Sequence, residues 1–98
     1  MGPEALALVT AYFMCAVEAE SRVLTPAEMH HCSELYLETK LQFLPNMDVD
    51  QFKRLTTPER AAVNRTAYDA YLTWKRDNPD LVNALKQAAK SRLHGEES

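Results

Sequence analysis

The sequence predicts an all-α fold, a small antiparallel four-helix domain built from two helical hairpins. Four of the five prolines follow a helix-capping residue and are followed closely by an acid, as in Gly2-Pro3-Glu4 and Asn78-Pro79-Asp80. Proline suits the first helical turn because its missing N–H would have no partner there. With only two glycines and 46% apolar residues, the composition also favours a packed helical body over a turn-rich β-fold.

The length of 98 residues allows one small core. We therefore expect a single helical domain over residues 1–93 and a disordered C-terminal tail over residues 94–98.

The first helix is expected over residues 3–22. Its apolar residues fall on two faces, one with Val9 and Phe13 and one with Tyr12 and Cys15, so it needs contacts on more than one side. Two neighbouring helices can supply them, and any uncovered part would allow self-association through this helix as a homodimer. The apolar stretch is too short for a membrane span, which takes about 20 residues, and no basic residue precedes it as in a signal peptide.

The second helix is expected over residues 26–44. Thr25 and Glu28 have the spacing of a capping box, and Pro45 should end the helix. Its expected inward residues are Met29, Cys32, Tyr36 and Phe43. The connection over residues 46–56 should contain one short helical turn, capped by Asp48 or Asp50.

The third and fourth helices are expected over residues 58–77 and 79–93, because Pro79 breaks and restarts the helix. The expected buried stripe of the third helix is Val63, Ala67, Ala70, Tyr71 and Trp74, widened by Tyr68 and Leu72. The expected inward residues of the fourth helix are Leu81, Val82, Leu85, Ala88 and Ala89.

The two cysteines, Cys15 and Cys32, are equidistant from position 23.5, near the centre of the turn between the first two helices. In an antiparallel hairpin they lie at the same height, where small neighbours help to permit a disulfide. The alternative is a pair of buried free thiols. A bridge would indicate a periplasmic or extracellular location, and free thiols a cytoplasmic one.

The charge of the chain is unevenly distributed. Residues 1–50 carry two basic and eight acidic side chains, a net −6, whereas residues 51–98 carry nine basic and six acidic ones, a net +3. This pattern fits a non-catalytic module that binds another protein, as bacterial or phage-encoded adaptors, inhibitors and immunity proteins do. The acidic first hairpin would meet a basic partner surface. The candidate partner-binding residues are Glu18, Glu20, Glu28, Glu34 and Glu38.

Nucleic-acid binding through the basic second half is the alternative. The total charge of −3 and a proline and acid at the start of the last helix both disfavour it. The residues that would carry it are Lys53, Arg54, Arg60, Arg65, Lys75 and Arg76.

No residue pattern points to an enzyme, a metal or a cofactor. His30, His31 and Cys32 are consecutive, and neighbouring helical residues point about 100° apart, so the three cannot converge on one ion. No glycine-rich loop is present to bind phosphate, and no serine or cysteine has an obvious base and orienting acid. We therefore expect neither catalytic residues nor metal ligands.

Overall fold

The computed structural model describes residues 2–97, with the side chains of residues 2–95. Over this range the chain forms five α-helices and no strand, which confirms the predicted all-α fold. The helices are α1 (Pro3–Ser21), α2 (Pro26–Leu41), α3 (Val49–Lys53), α4 (Thr57–Asp77) and α5 (Pro79–Glu97).

Three of the helices begin with a reciprocal capping box. At α2 the Glu28 N–H donates to Thr25 Oγ1 and the Thr25 N–H donates to Glu28 Oε1, at 3.2 and 2.9 Å. Asp48 and Gln51 make the same exchange at α3. At α4 the cap is Thr56, paired with Glu59. The capping residues therefore set these helix starts locally, with a proline in the first turn of α2 and α4.

Two helix ends differ from the expectation. α2 ends at Leu41, three residues before the predicted end, because Pro45 lacks an N–H and disfavours helical geometry in the residue before it. The backbone N–H groups of Phe43 and Leu44 instead donate to carbonyls three residues earlier, in a tighter turn than the α-helix. The chain then turns at Asn46, whose φ is 62°. α5 is helical to Glu97, so it covers most of the expected tail; Ser98 lies outside the described residues.

The core forms where α5 packs along α1. Val9 and Phe13 of α1 meet Val82 and Ala89 of α5, and all four are at most 5% exposed. α1 also packs along α2, so two of its sides are covered, as its two apolar faces predict. α5 contacts α4 much less than α1. The predicted hairpin of α1 and α2 is therefore present. The predicted hairpin of α4 and α5 is not, because α5 packs on α1 instead of along α4.

A second packing region joins α2 and the following turn to α4 through aromatic rings. The Phe43 ring contacts the rings of both Tyr71 and Trp74, with centroids 5.8 and 5.1 Å away. The Tyr36 ring meets the Tyr71 ring edge-on at 6.1 Å. Aromatic pairs at these distances add stabilisation to the area that they bury.

Several residues that were expected in the core are exposed, and those predictions are wrong. Met29 is 57% exposed, Tyr68 42% and Leu72 41%. On α5, Leu81 and Ala88 also face outward. Because α5 packs on α1 instead of along α4, no helix within residues 2–97 packs over Tyr68 and Leu72, and both side chains stay partly exposed. The resulting body is flat, with extents of 44 × 32 × 19 Å.

Candidate functional site at the hairpin tip

The end of the α1–α2 hairpin, residues 18–33, is the candidate site; we call it the hairpin tip. Beside it, Cys15 and Cys32 lie at disulfide distance, with Cα atoms 5.7 Å apart. This agrees with the register that their equal spacing from the turn predicts. Neither cysteine is free among the described residues, so the two helices are tied together just below the turn.

Arg22 makes a second connection across the turn. Its guanidinium donates to Glu18 Oε1 on α1, at 2.7 and 3.1 Å, and to both carboxylate oxygens of Glu28 on α2. Hydrogen bonds from Arg22 and from Thr25 hold the pKa of Glu28 at about 2, far below its ordinary value. The same two glutamates raise the pKa of Arg22. One cation thus links the end of α1 to the start of α2.

An apolar groove of about 640 Å³ opens on this tip. It is lined chiefly by Ala19, Val23, Leu24, Met29, Cys32 and Ser33. The Val23 residue is 91% exposed, and Met29 also projects into solvent. A smaller hollow of about 230 Å³ shares Ala19 and Leu24 and continues to Tyr12 and Tyr36. The apolar surface therefore extends along the seam between α1 and α2.

The predicted acidic residues separate into two groups. Glu18 and Glu28 are held by Arg22, and Glu34 lies 3.7 Å from Lys53 of α3. Two acids, Glu20 and Glu38, form no ion pair within the described part of the chain. Glu20 lines the apolar groove, whereas Glu38 lies farther along α2.

Both cations of the acidic half make contacts within the protein. Arg22 lies in the ion pairs of the turn, and Lys40 is only 7% exposed. The negative charge of the first hairpin is therefore not offset by a mobile basic side chain of its own. A partner approaching this surface meets exposed carboxylates.

The basic residues of the alternative function do not form one row. Arg60 and Arg76 are separated by about 24 Å along α4 at 1.5 Å per residue. Arg76 lies 3.4 Å from Asp77, and the Lys75 ammonium lies 5.4 Å from the centre of the Tyr71 ring. The other four residues also have local surroundings: Lys53 meets Glu34, Arg54 donates to the Asp50 carbonyl, Arg60 donates to Thr57, and Arg65 lines a cleft with Lys40.

The histidines do not assemble a metal centre. His30 and His31 are both exposed, and in the part of the chain that the structure describes no three His, Cys, Asp or Glu side chains converge. The non-catalytic character of the protein stays a prediction.

Two features of the site were missed in the sequence. The exposure of Met29 could not be predicted, because it depends on α4 and α5 not reaching the tip. Val23, however, did carry a signal: it is a large apolar residue in a turn of three residues, where small and polar residues are usual. A single exposed apolar residue is common on protein surfaces, but Val23 adjoins other apolar residues, Leu24 and Met29, around one groove.

Comparison with protein-family models, curated proteins and solved structures gives no match. In the described range, none of the helices is both long enough and apolar enough to pass through a bilayer. Function therefore has to be inferred from the residues of this chain.

Proposed function

We propose that the protein is a small non-catalytic interaction module that binds another protein through the hairpin tip. The observation that carries this proposal is Val23, which is 91% exposed beside an apolar groove. Exposed apolar surface that adjoins a groove is typical of protein interaction sites. Binding would remove Val23 and Met29 from water, which is favourable in proportion to the area buried.

The tip is well suited to binding because it is held in shape. The Cys15–Cys32 pair, the Arg22 ion pairs and the Thr25 capping box all act within one short hairpin end. A surface that is already ordered loses little conformational entropy when a partner binds. These contacts therefore support binding by fixing the shape of the groove, which Cys32 and Arg22 also line.

The chemistry of the partner follows from the surroundings of the groove. The groove is lined mainly by apolar residues, together with Glu20 and with Arg22, whose charge is taken up by Glu18 and Glu28, on a hairpin with a surplus of acids. The matching surface is an apolar side chain that enters the groove, flanked by Lys or Arg. Such rim charges speed association and are screened by salt, so binding should weaken as the salt concentration rises.

The test is affinity capture from an extract of the source cells with immobilised protein, followed by titration of the purified captured protein. The variant Val23→Ser/Met29→Ser should lower the affinity at least about tenfold, as expected for central apolar contacts. The matched control is Leu72→Ser on α4, which removes an apolar side chain that is 41% exposed but lies outside the tip. The proposal is refuted if Val23→Ser/Met29→Ser binds the captured protein with the same affinity as Leu72→Ser.

The charge contribution needs its own variants. Glu20→Lys and Glu38→Lys should each slow association and reduce its salt dependence, because these acids have no ion pair in the described structure. Glu34→Lys, which also removes the contact with Lys53, completes the series. Binding that is the same at about 0.05 and 0.3 M salt would rule out the acidic-surface version of the proposal.

Nucleic-acid binding through α3 and α4 remains the alternative proposal. An electrophoretic mobility shift with duplex and single-stranded DNA separates the two. Salt-sensitive binding that is lost in Lys75→Ala/Arg76→Ala and kept in Val23→Ser/Met29→Ser would favour the alternative.

A further inference from the structure

Lys40 is a buried cation without an acidic partner. It is 7% exposed, and it makes no ion pair with any acid in the described residues. Its ammonium donates to Asn64 Oδ1 at 2.6 Å and lies 4.2 Å from the centre of the Tyr36 ring. Burial lowers the pKa of Lys40. Buried charges in proteins are usually paired, because removing them from water is costly.

The contacts that Lys40 makes do not use its full capacity. An ammonium has three N–H donors, and Asn64 accepts from one of them. The Tyr36 ring stabilises the charge through its π-face but accepts no second conventional hydrogen bond. Lys40 therefore retains donor capacity and an unbalanced positive charge.

A cleft opens at this position between α2 and α4, with a volume of about 770 Å³. Its walls are Tyr36, Asn64, Arg65, Tyr68 and Asp69, with Lys40 contributing from α2. Two cations and one carboxylate give it a surplus positive charge. The volume falls in the range of about 300–1,000 Å³ typical of small-molecule sites.

The walls of the cleft combine charge with flat apolar surface. Arg65 is exposed and can form paired hydrogen bonds with an anionic group, for which a guanidinium is well shaped. The Tyr36 hydroxyl is protonated at neutral pH, as for an ordinary tyrosine, and can donate a hydrogen bond; burial, with the neighbouring Tyr12 and Tyr68, raises its pKa further. The exposed ring of Tyr68 offers a face on which a planar group can stack.

From this arrangement we infer that the Lys40 cleft binds a small organic anion, a carboxylate or phosphate group attached to a planar body. The anionic group lies between Lys40 and Arg65, and the planar body lies against Tyr68. Asn64 orients the Lys40 ammonium. This site is separate from the hairpin tip, and it does not depend on the proposed protein partner.

The experiment is a titration of ¹⁵N-labelled full-length protein, followed by NMR, with three probes: benzoate, phenyl phosphate and inorganic phosphate. Ionic strength is held at about 0.1 M so that general charge effects stay constant. We expect saturable shifts of the Asn64 side-chain amide and of the backbone around Lys40 and Arg65. Benzoate against phenyl phosphate distinguishes a carboxylate from a phosphate ligand.

The variants locate the binding. Lys40→Met keeps the length of the side chain and should weaken the better aromatic probe roughly tenfold or more, as loss of a charge-assisted hydrogen bond predicts. Arg65→Gln, at an exposed position, should weaken it severalfold and provides a folded variant if Lys40→Met does not fold. Lys90→Met, which removes an exposed cation from α5, should bind like the unmodified protein.

Several outcomes would overturn the inference. One is the absence of saturable binding of any probe up to about 20 mM. Another is an affinity that is the same in Arg65→Gln, Lys90→Met and the unmodified protein. Inorganic phosphate binding as tightly as phenyl phosphate would contradict the role of the planar body.

Discussion

The Tyr12 ring stacks on the Tyr36 ring, with centroids 4.8 Å apart and planes inclined by 15°. The two residues lie one turn below Cys15 and Cys32 on the same pair of helices. Tyr12 and Tyr36 are equidistant in sequence from position 24, and Cys15 and Cys32 are equidistant from position 23.5. Two independent cross-helix pairs thus specify one register for the α1–α2 hairpin. That register determines which residues meet at the hairpin tip.

Removing the Cys15–Cys32 connection should lower the stability substantially. In the chain-entropy description, a bridge across a loop of this length contributes about 3 kcal/mol, a large part of a small domain's free energy of unfolding. We expect reduction and the double variant Cys15→Ala/Cys32→Ala to lower that free energy by similar amounts in urea unfolding. Alkylation of native protein isolated without reductant should leave both cysteines unmodified. Quantitative alkylation, or a loss below about 1 kcal/mol, would contradict the prediction.

The Glu28 ion pair should make stability depend on pH in the acid range. The pKa of Glu28 is about 2 in the folded protein, below its ordinary value of 4.5. A lowered folded-state pKa stabilises the protein above the ordinary value, and this stabilisation is lost as the pH falls from about 4.5 to about 2. Unfolding in this window should therefore take up about one proton at Glu28.

The measurement is the free energy of unfolding against pH for the unmodified protein and Glu28→Gln. The glutamine variant should show a shallower decrease below pH 4.5. Glu20→Gln is the matched control, because Glu20 is exposed and forms no ion pair in the described residues. The prediction fails if Glu28→Gln and Glu20→Gln give parallel curves.

Thr39 offers a stabilising substitution. The residue is fully buried, and its hydroxyl oxygen has no hydrogen-bond partner. Replacing an unsatisfied buried hydroxyl by a methyl group removes a desolvation cost, so Thr39→Val should raise the free energy of unfolding by about 1 kcal/mol. Thr10→Val is the control, because the Thr10 hydroxyl donates to the Leu6 carbonyl at 2.8 Å and its loss brings no such gain. Thermal unfolding of both variants and of the unmodified protein tests this prediction. A Thr39→Val variant that is less stable than the unmodified protein would show it to be wrong.

The two adjacent threonines before α4 should differ in importance. Thr56 is the cap and accepts from the Glu59 N–H, whereas Thr57 already belongs to the helix. Thr56→Ala should therefore cost about 1 kcal/mol. Thr57→Ala, which removes only an exposed contact with Arg60, should change the free energy of unfolding by no more than about 0.5 kcal/mol. Urea unfolding of the pair tests the assignment; equal losses would contradict it.

Local chemistry made much of this structure predictable. Helix starts depend on a few consecutive residues, so Pro26 and Pro79 mark them correctly. The closeness of Cys15 and Cys32 follows from a short turn alone. These features require no knowledge of distant parts of the chain.

The remaining features depend on contacts between distant residues. Tyr68 and Leu72 have the spacing of a buried stripe, yet no helix covers them, because α5 packs on α1. The burial of Lys40 depends on Asn64, which is 24 residues away. An amphipathic pattern indicates which face can be buried but not which helix will cover it.

The packing of α5 on α1 also affects the order in which the fold can be completed during synthesis. Phe13 leaves the ribosome early, but Val82 and Ala89, which cover it, are made only after most of the chain. Until then α1 exposes the apolar face that will become the core. The α1–α2 hairpin can therefore form first, but the apolar face of α1 can be fully covered only after α5 has emerged.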